Sequence, residues 1–552
     1  MYYADAGMRF STDHKAIGLQ YLWLGLFSAF VGMALSLLLR FGLAGRLPIL
    51  ADLAGAPQRN GTLAVLHGSL MVFFVLTAAP QAGFGNYFLP LQIGAREIAF
   101  PGLNRVTLVA TVLSFGIIAA SFFLPTAEAG LNLWIIGVAV FCLASLANAV
   151  NFSVTVIDQR GAGMTLPRLP LTVWAWFINA LLSMLIFSIL LASSVLLLAD
   201  RFAGTHFFSY SMRTYLAVPA PVVPAAFLEA VQQALWQRLF WFFAQAQVYV
   251  AMLPCFGIVT HLLATFARRP VWKERAVALA LCAVGVCGFC IWGEHMFSSG
   301  LNPDSPLVFA VLAASLGLPA FVLVLSWLGT LWKARLQLTT AALFSVGFVA
   351  LFLTGGVSGV LLARSDIARV AASSNFVTGH FHLVMGISAT FALLAALFFW
   401  FPKMFGRRLN ETLGKAHFGL TFAGVYCVFL PMHWLGLAQT REIPGGPLAS
   451  AEVPTFISVA MMVTIAAQLI FLWNLAWSLL RGEKATGCNP WRATTLEWSV
   501  PSPPPPGDFG ATIPAVYRGA YEFGVPAASE VSGCFREDFR PQYLAPDEAA
   551  AT

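Results

Sequence analysis

The stretch Phe376-Val377-Thr378-Gly379-His380-Phe381-His382-Leu383-Val384-Met385-Gly386 opens an apolar run that continues to Trp400, long enough to cross a bilayer as a helix. Residues two apart on a helix point roughly 200° from each other. His380 and His382 therefore face opposite sides and do not serve one metal; they can serve two. A neutral imidazole nitrogen is a common axial ligand of heme iron. Membrane helices rarely keep two polar rings in their middle without a use. The expectation is two hemes flanking one helix.

The rest of the chain fits that solvent. Of 552 residues, 59% are hydrophobic and 10% charged, and mean hydropathy is +0.78, far outside the range of soluble domains. About twelve stretches are long enough to span, starting near Ala16, Thr62, Val106, Leu133, Leu171, Trp236, Ala276, Pro306, Thr339, Phe376, His417 and Ser458. The fold expected is an all-α integral membrane protein of about twelve transmembrane helices. Residues 1–484 form one heme-binding membrane domain. Residues 485–552 form a tail, where Pro501-Ser502-Pro503-Pro504-Pro505-Pro506 favours extended polyproline II over helix and is expected to lie across the cytoplasmic face.

The net charge of +7 is spread over alternate loops rather than clustered on one soluble face, which excludes a nucleic-acid surface. Arg9, Lys15, Arg96, Arg105, Arg160, Arg168, Arg268 to Arg275, Lys333, Arg335, Arg407 and Arg408 all fall on one side. The positive-inside rule places both termini in the cytoplasm of a bacterial-type plasma membrane. The N-terminal segment has no small-residue cleavage site, so no removable signal is expected. Six of the eight cysteines lie in predicted spans, and Cys287 with Cys290 reads as small residues at a helix contact rather than a redox pair.

The tripeptide, together with Leu66-His67-Gly68-Ser69-Leu70-Met71, resembles subunit I of the heme-copper oxidases, specifically the A-family cytochrome c oxidases. The resemblance extends over nearly the whole chain, through Asp13-His14-Lys15-Ala16-Ile17-Gly18, Pro90-Leu91-Gln92-Ile93-Gly94-Ala95, Phe401-Pro402-Lys403-Met404-Phe405-Gly406 and Thr495-Leu496-Glu497-Trp498. It implies that His67 and His382 are the axial ligands of a six-coordinate, low-spin heme and that His380 is the proximal ligand of a high-spin heme. It also implies that Arg40 hydrogen-bonds a substituent of the low-spin heme and that Arg441 lies over the propionates. Glu97, with Asn86 and Asn104, corresponds to a proton inlet. The partners implied are subunit II- and III-like chains, cytochrome c or another electron donor, and membrane lipid.

The chain departs from this pattern where the family holds a copper ion with three histidines. The first motif here reads Ala244-Gln245-Ala246-Gln247-Val248-Tyr249 and the second Trp292-Gly293-Glu294-His295-Met296, so Gln245, Glu294 and His295 occupy the ligand positions. One imidazole, one carboxylate and a weak amide oxygen form a harder donor set than three imidazoles, which leaves copper, iron or no metal open. Tyr249 lies on the same helix face as Gln245. The histidine–tyrosine cross-link of the family cannot form, yet the phenol remains a hydrogen donor. The family's relay carboxylate is Gln247 here and its pathway lysine is Leu323, neither of which titrates. Ala372 and Ser373 replace magnesium ligands.

These features lead to an oxidoreductase that passes electrons through the low-spin heme to a gas-reducing high-spin heme, with oxygen as the family's substrate, Tyr249 and Glu294 as catalytic candidates, and impaired proton pathways. The alternatives are a nitric oxide reductase-like enzyme and a non-catalytic, heme-bearing electron relay or scaffold.

Overall fold

The computed structural model describes residues 11–41, 59–124, 126–208, 225–293, 306–371, 374–439, 452–485, 487–510, 512–523, 541–543 and 545. Among these, the architecture is helical, and the one β-feature is an isolated antiparallel bridge between Arg407 and Lys484. The chain runs through α1 (His14–Phe41), α2 (Arg59–Ser69), a π-helical segment (Leu70–Gly85), α3 (Asn86–Ile93), α4 (Pro101–Ser121), α5 (Ala127–Asp158) and α6 (Leu171–Phe202). It continues through α7 (Ala225–Ala267), α8 (Glu274–Cys290), α9 (Pro306–Leu331), α10 (Thr340–Leu362), α11 (Ser365–Ala371), α12 (Asn375–Phe381), a short π segment (His382–Gly386), α13 (Ile387–Phe405), α14 (Glu411–Gln439) and α15 (Glu452–Arg481).

Eleven helical stretches among the described residues are long and apolar enough to cross a membrane. The remaining expected span corresponds to α8, which is 17 residues long and ends at Cys290 with Ile291 as its C-cap. Helices are the solution because lipid offers no partner for backbone N–H and C=O groups. Local sequence sets their ends. Thr339 Oγ1 accepts the Ala342 N–H at 3.2 Å and Ser374 Oγ accepts the Phe376 N–H at 3.2 Å, both as N-caps. Gly94 (φ 76°) and Gly406 (φ 64°) close α3 and α13 in the left-handed region, where a side chain is costly.

The most apolar stretch of α7 is wholly buried, so this helix runs through the middle of the bundle. Helix α6 packs along α7, α10 along α13, α12 against α14, and α1 along the π segment. Leu279, Leu307, Leu318, Trp332, Val360 and Leu480 point outward and exposed. Water would penalise that apolar surface by about 25 cal/mol per Å²; hydrocarbon does not.

After Arg481 the chain folds back on one end of the bundle. Glu497 and Trp498 are buried there, and Trp491 donates its indole N–H to Phe399 O at 2.7 Å. Lys403 donates to Val500 O at 2.6 Å and Cys488 O at 3.2 Å. Asp508 sits between His14 Nε2 (2.8 Å) and Lys15 Nζ (2.5 Å) with its side chain fully enclosed. Burial pushes the Asp508 carboxyl up, but the His14 and Lys15 charges and hydrogen bonds outweigh it and hold the group below the ordinary aspartate range.

Candidate metal centres and proton inlet

His67 closes the α2 segment that precedes the π turn, and His382 begins the second π segment. Wide i→i+5 winding is costly and concentrates at functional sites; here it follows both histidines closely. The His67 Nδ1–H donates to Gly32 O on α1 at 2.8 Å. A Cβ on Gly32 would lie 2.6 Å from Met71 Sδ but 3.8 Å from His67 Nδ1, so the absent side chain makes room for Met71 beside the ring. The His382 Nδ1–H donates to Thr378 O at 2.8 Å, and its ring stacks on Phe429 of α14 at 4.9 Å and 14°. His380 turns instead toward α10, with Nδ1 3.1 Å from Gly355 O and 3.0 Å from Ser358 Oγ. The two rings of the tripeptide thus engage different neighbours.

A carbonyl oxygen only accepts, so each of these contacts fixes the proton on Nδ1 of the neutral ring and leaves the lone pair on Nε2. That is the arrangement an axial imidazole needs, with a second partner setting ring orientation and basicity. Among the described residues no group claims Nε2 of His67 or His382, and the two rings lie within electrostatic reach of one another. The residues present fit heme. Eight residues beyond each of these histidines, at Val75 and Thr390, an apolar cavity opens; it is lined also by Leu22, Ala79, Leu394 and Phe471.

Arg40, at the end of α1, donates from Nε to Ser458 Oγ at 2.9 Å and from an Nη to Pro454 O at 2.8 Å. Part of its guanidinium therefore ties α1 to α15. Arg441, Glu294, His295, Ala372 and Ser373 lie outside the described residues. On α7, Gln245 Nε2 donates to the Tyr249 hydroxyl at 3.4 Å, and the Tyr249 ring lies on Gly288 of α8. Gly288 sits between Cys287 and Cys290, both free thiols. Gln247 donates to Thr77 Oγ1 at 2.5 Å, and Leu323 is fully buried in the apolar core.

Glu97 accepts the His14 N–H at 3.2 Å and the Ile98 N–H at 3.0 Å. Burial pushes its carboxyl above the usual glutamate range, and the His14 charge offsets only part of that. Asp13, His14 and Glu97 bring ligand-type atoms within 4.8 Å of one another. Both His14 ring nitrogens are already engaged, by Asn86 O at 2.7 Å and by Asp508, so this cluster offers no imidazole lone pair to a cation. Further in, Asn86 Oδ1, both side-chain ends of Asn104, Asn148 Oδ1 and Gln247 Oε1 are buried with no partner among the described protein groups. Buried amides of this kind are completed by water. A cavity of about 20 Å³, lined by Tyr21, Thr77, Gln81, Asn148 and Ser183, lies along the same row and has room for about one water. Thr77 both lines that cavity and holds Gln247.

Sequence reasoning missed Thr77, Ser358, His433 and Asp508. His433 carried a readable signal, a titratable ring within an apolar span. Asp508 carried none, because its partners lie almost 500 residues away in sequence.

Fold and site together define a class: a helical membrane protein whose interior presents imidazoles, pre-oriented by backbone carbonyls, on helices that face one another. Residues 16–469 match the family described as Cytochrome C and Quinol oxidase polypeptide I, and the chain belongs to that family, as a heme-copper oxidase subunit I. It is 36% identical to the alternative cytochrome c oxidase subunit 1 of Bradyrhizobium diazoefficiens, over 98% of this chain and 93% of that protein. It is 34% identical to the cytochrome c oxidase subunit 1 of a Synechocystis species, over 94% and 92%. The fold is similar to that of a heme-copper terminal oxidase dimer solved by cryo-electron microscopy, with a TM-score of 0.66, 17% identity and coverage of 86% of this chain and 85% of that one.

Proposed function

We propose that this chain is the heme-bearing subunit of a respiratory complex, taking electrons from cytochrome c or a similar donor through a subunit II-like partner and reducing a diatomic gas. The observation that carries this reading is the anchoring of His67, His382 and His380 through Nδ1 on Gly32 O, Thr378 O and Gly355 O. His67 and His382 would hold a low-spin heme between their helices, and His380 a high-spin heme on the opposite face. When bound, the hemes supply one-electron transfer and, at the open iron position, ligand binding. The apolar cavity beside Val75 and Thr390 suits a hydrocarbon substituent, which favours an a-type heme on the low-spin side. Arg40 retains guanidinium donors for a heme substituent, and by the family resemblance Arg441 would serve the propionates.

By the family resemblance, Gln245, Glu294 and His295 would be the donors at the second metal position facing the His380 heme. This harder set favours iron or no metal over copper. Oxygen is the substrate of the family and the first reading. Nitric oxide is the second, favoured by Gln247 and Leu323: both positions are non-titrating, and nitric oxide reduction requires no pumped proton. Glu97, Asn86 and Asn104 open a water-completed inlet for the protons consumed, with Tyr249 as the hydrogen donor at its inner end. The basic end of the bundle, covered by the tail, faces the cytoplasm.

Consumption of each gas by the purified complex, with iron and copper counted per chain, tests the reading. Oxygen consumption with two irons supports the oxidase, whereas nitric oxide consumption with a third iron supports the reductase. Failure with both gases, and no carbon monoxide binding to the reduced protein, would leave an electron relay.

A further inference from the structure

His433, on α14, is used by nothing described so far, yet it ends a hydrogen-bonded row that starts at His380. Its Nδ1 is 2.7 Å from Phe429 O, one turn back on its own helix, and its Nε2 is 3.2 Å from Ser358 Oγ on α10. Ser358 Oγ is in turn 3.0 Å from His380 Nδ1. Two close approaches make the row possible. A Cβ on Gly379, the residue before His380, would lie 2.8 Å from His433 Nδ1, and one on Gly359 would lie 3.1 Å from His380 Cε1. Phe376 closes the outer side edge-on to the His433 ring, at 5.0 Å and 77°.

The end of the row sets its polarity. Phe429 O only accepts, so the neutral His433 ring keeps its proton on Nδ1 and presents a bare Nε2. The donor within reach is the Ser358 hydroxyl. The same hydroxyl lies 2.7 Å from Gly355 O, but turning that way would leave a partly buried Nε2 unsatisfied. With the Ser358 proton directed to His433, the Ser358 oxygen can accept from His380 Nδ1–H, which it shares with Gly355 O at 3.1 Å. Every bond then points from His380 toward His433, and aligned hydrogen bonds polarise one another.

We propose that Ser358 and His433 are positioning residues for His380: they hold its ring plane and draw on its Nδ1 proton, making Nε2 a stronger donor to iron. The inference rests on His380 being the proximal heme ligand. A more basic axial imidazole stabilises the oxidised iron and strengthens the iron–nitrogen bond.

The test is resonance Raman spectroscopy of the iron–histidine stretch, with a potentiometric titration of the high-spin heme, on the intact reduced complex. Ser358→Ala and His433→Leu should each retain both hemes, move the stretch to lower wavenumber and raise the midpoint potential. The double variant should shift no further than the larger single one, because the groups act in series. Ser358→Thr, which keeps the hydroxyl, and His433→Gln, which keeps an acceptor, should recover most of the shift. If the band stays in place in both single variants with heme content intact, the proposal is overturned. Additive shifts in the double variant would also overturn it, since His433 would then not act through Ser358. His380→Gly separates the underlying reading: retention of the high-spin heme in that variant would show that another residue ligates it.

Discussion

Replacing Asp508 by Asn should release the tail from the bundle. The carboxylate is fully enclosed between Lys15 Nζ at 2.5 Å and His14 Nε2 at 2.8 Å, and the Lys15 side chain is only 2% exposed. The substitution keeps the shape but removes the enclosed counter-charge of the buried Lys15 ammonium, leaving the part-exposed Asp13 carboxylate 3.2 Å away. Breaking a buried pair in this way costs about 3–5 kcal/mol. At 1.4 kcal/mol per tenfold, that is roughly two to three and a half orders of magnitude in the population with the tail undocked. Tryptic cleavage after Arg518 reports that population when opening is fast relative to cutting. Lys15→Met in the Asp508→Asn background should slow cleavage again by removing the unbalanced charge. The pH dependence follows from the depressed carboxyl. Its stabilisation is complete above the ordinary aspartate pKa of about 3.9 and is lost only as pH falls through the lower folded value. The depressed Asp508 carboxyl gives no loss of docking in this range, so cleavage in the native protein should not rise from neutral pH down to about 5. A change of less than about threefold on Asp508→Asn, or a native tail that loosens between pH 7 and about 5, would refute the reasoning.

Other outcomes follow from the same geometry. His67→Ala or His382→Ala should each remove the low-spin heme and halve the heme count per chain in a pyridine hemochrome assay, whereas conservative changes at Tyr249 should leave the count intact. Glu97→Gln should slow proton uptake, measured with a pH-indicator dye during turnover. In the native protein uptake should fall as pH drops through a point above the usual glutamate range, because burial raises this carboxyl, and the Gln variant should lose that step. Thr77→Val should slow uptake without altering heme content, since Thr77 links the inlet cavity to Gln247. Gly379→Ala should destabilise the complex by about 1–3 kcal/mol through overpacking against His433, seen as a lower melting temperature.

The candidate heme ligands could be named from sequence because heme ligation depends on residue type and helical phase. His380 and His382 announced two faces by spacing alone, and His67 was found through the resemblance of its motif. The departures expected at Gln245, Gln247 and Leu323 were readable in the same way, because by the resemblance each would replace a titrating or ligating group. Ser358 was not, since a serine in a Gly-rich helix is ordinary until a neighbouring helix delivers His433 to it. The candidate inlet residues Glu97, Asn86 and Asn104 were named from the resemblance, while Thr77 joined the candidates only because α7 places Gln247 against it.

The sequence by itself determined that the chain spans a membrane as helices, because hydrocarbon forces every backbone group to be satisfied within its own segment. It also determined which imidazoles are available and that they face apart. Only the tertiary structure decided which nitrogen each presents. That choice depends on a carbonyl supplied by another helix at Gly32 or Gly355, or by the preceding turn at Thr378, within 3.1 Å. It also decided that the tail belongs to the bundle, because the charges of Asp508 and Lys15 stabilise each other only where folding removes both from water.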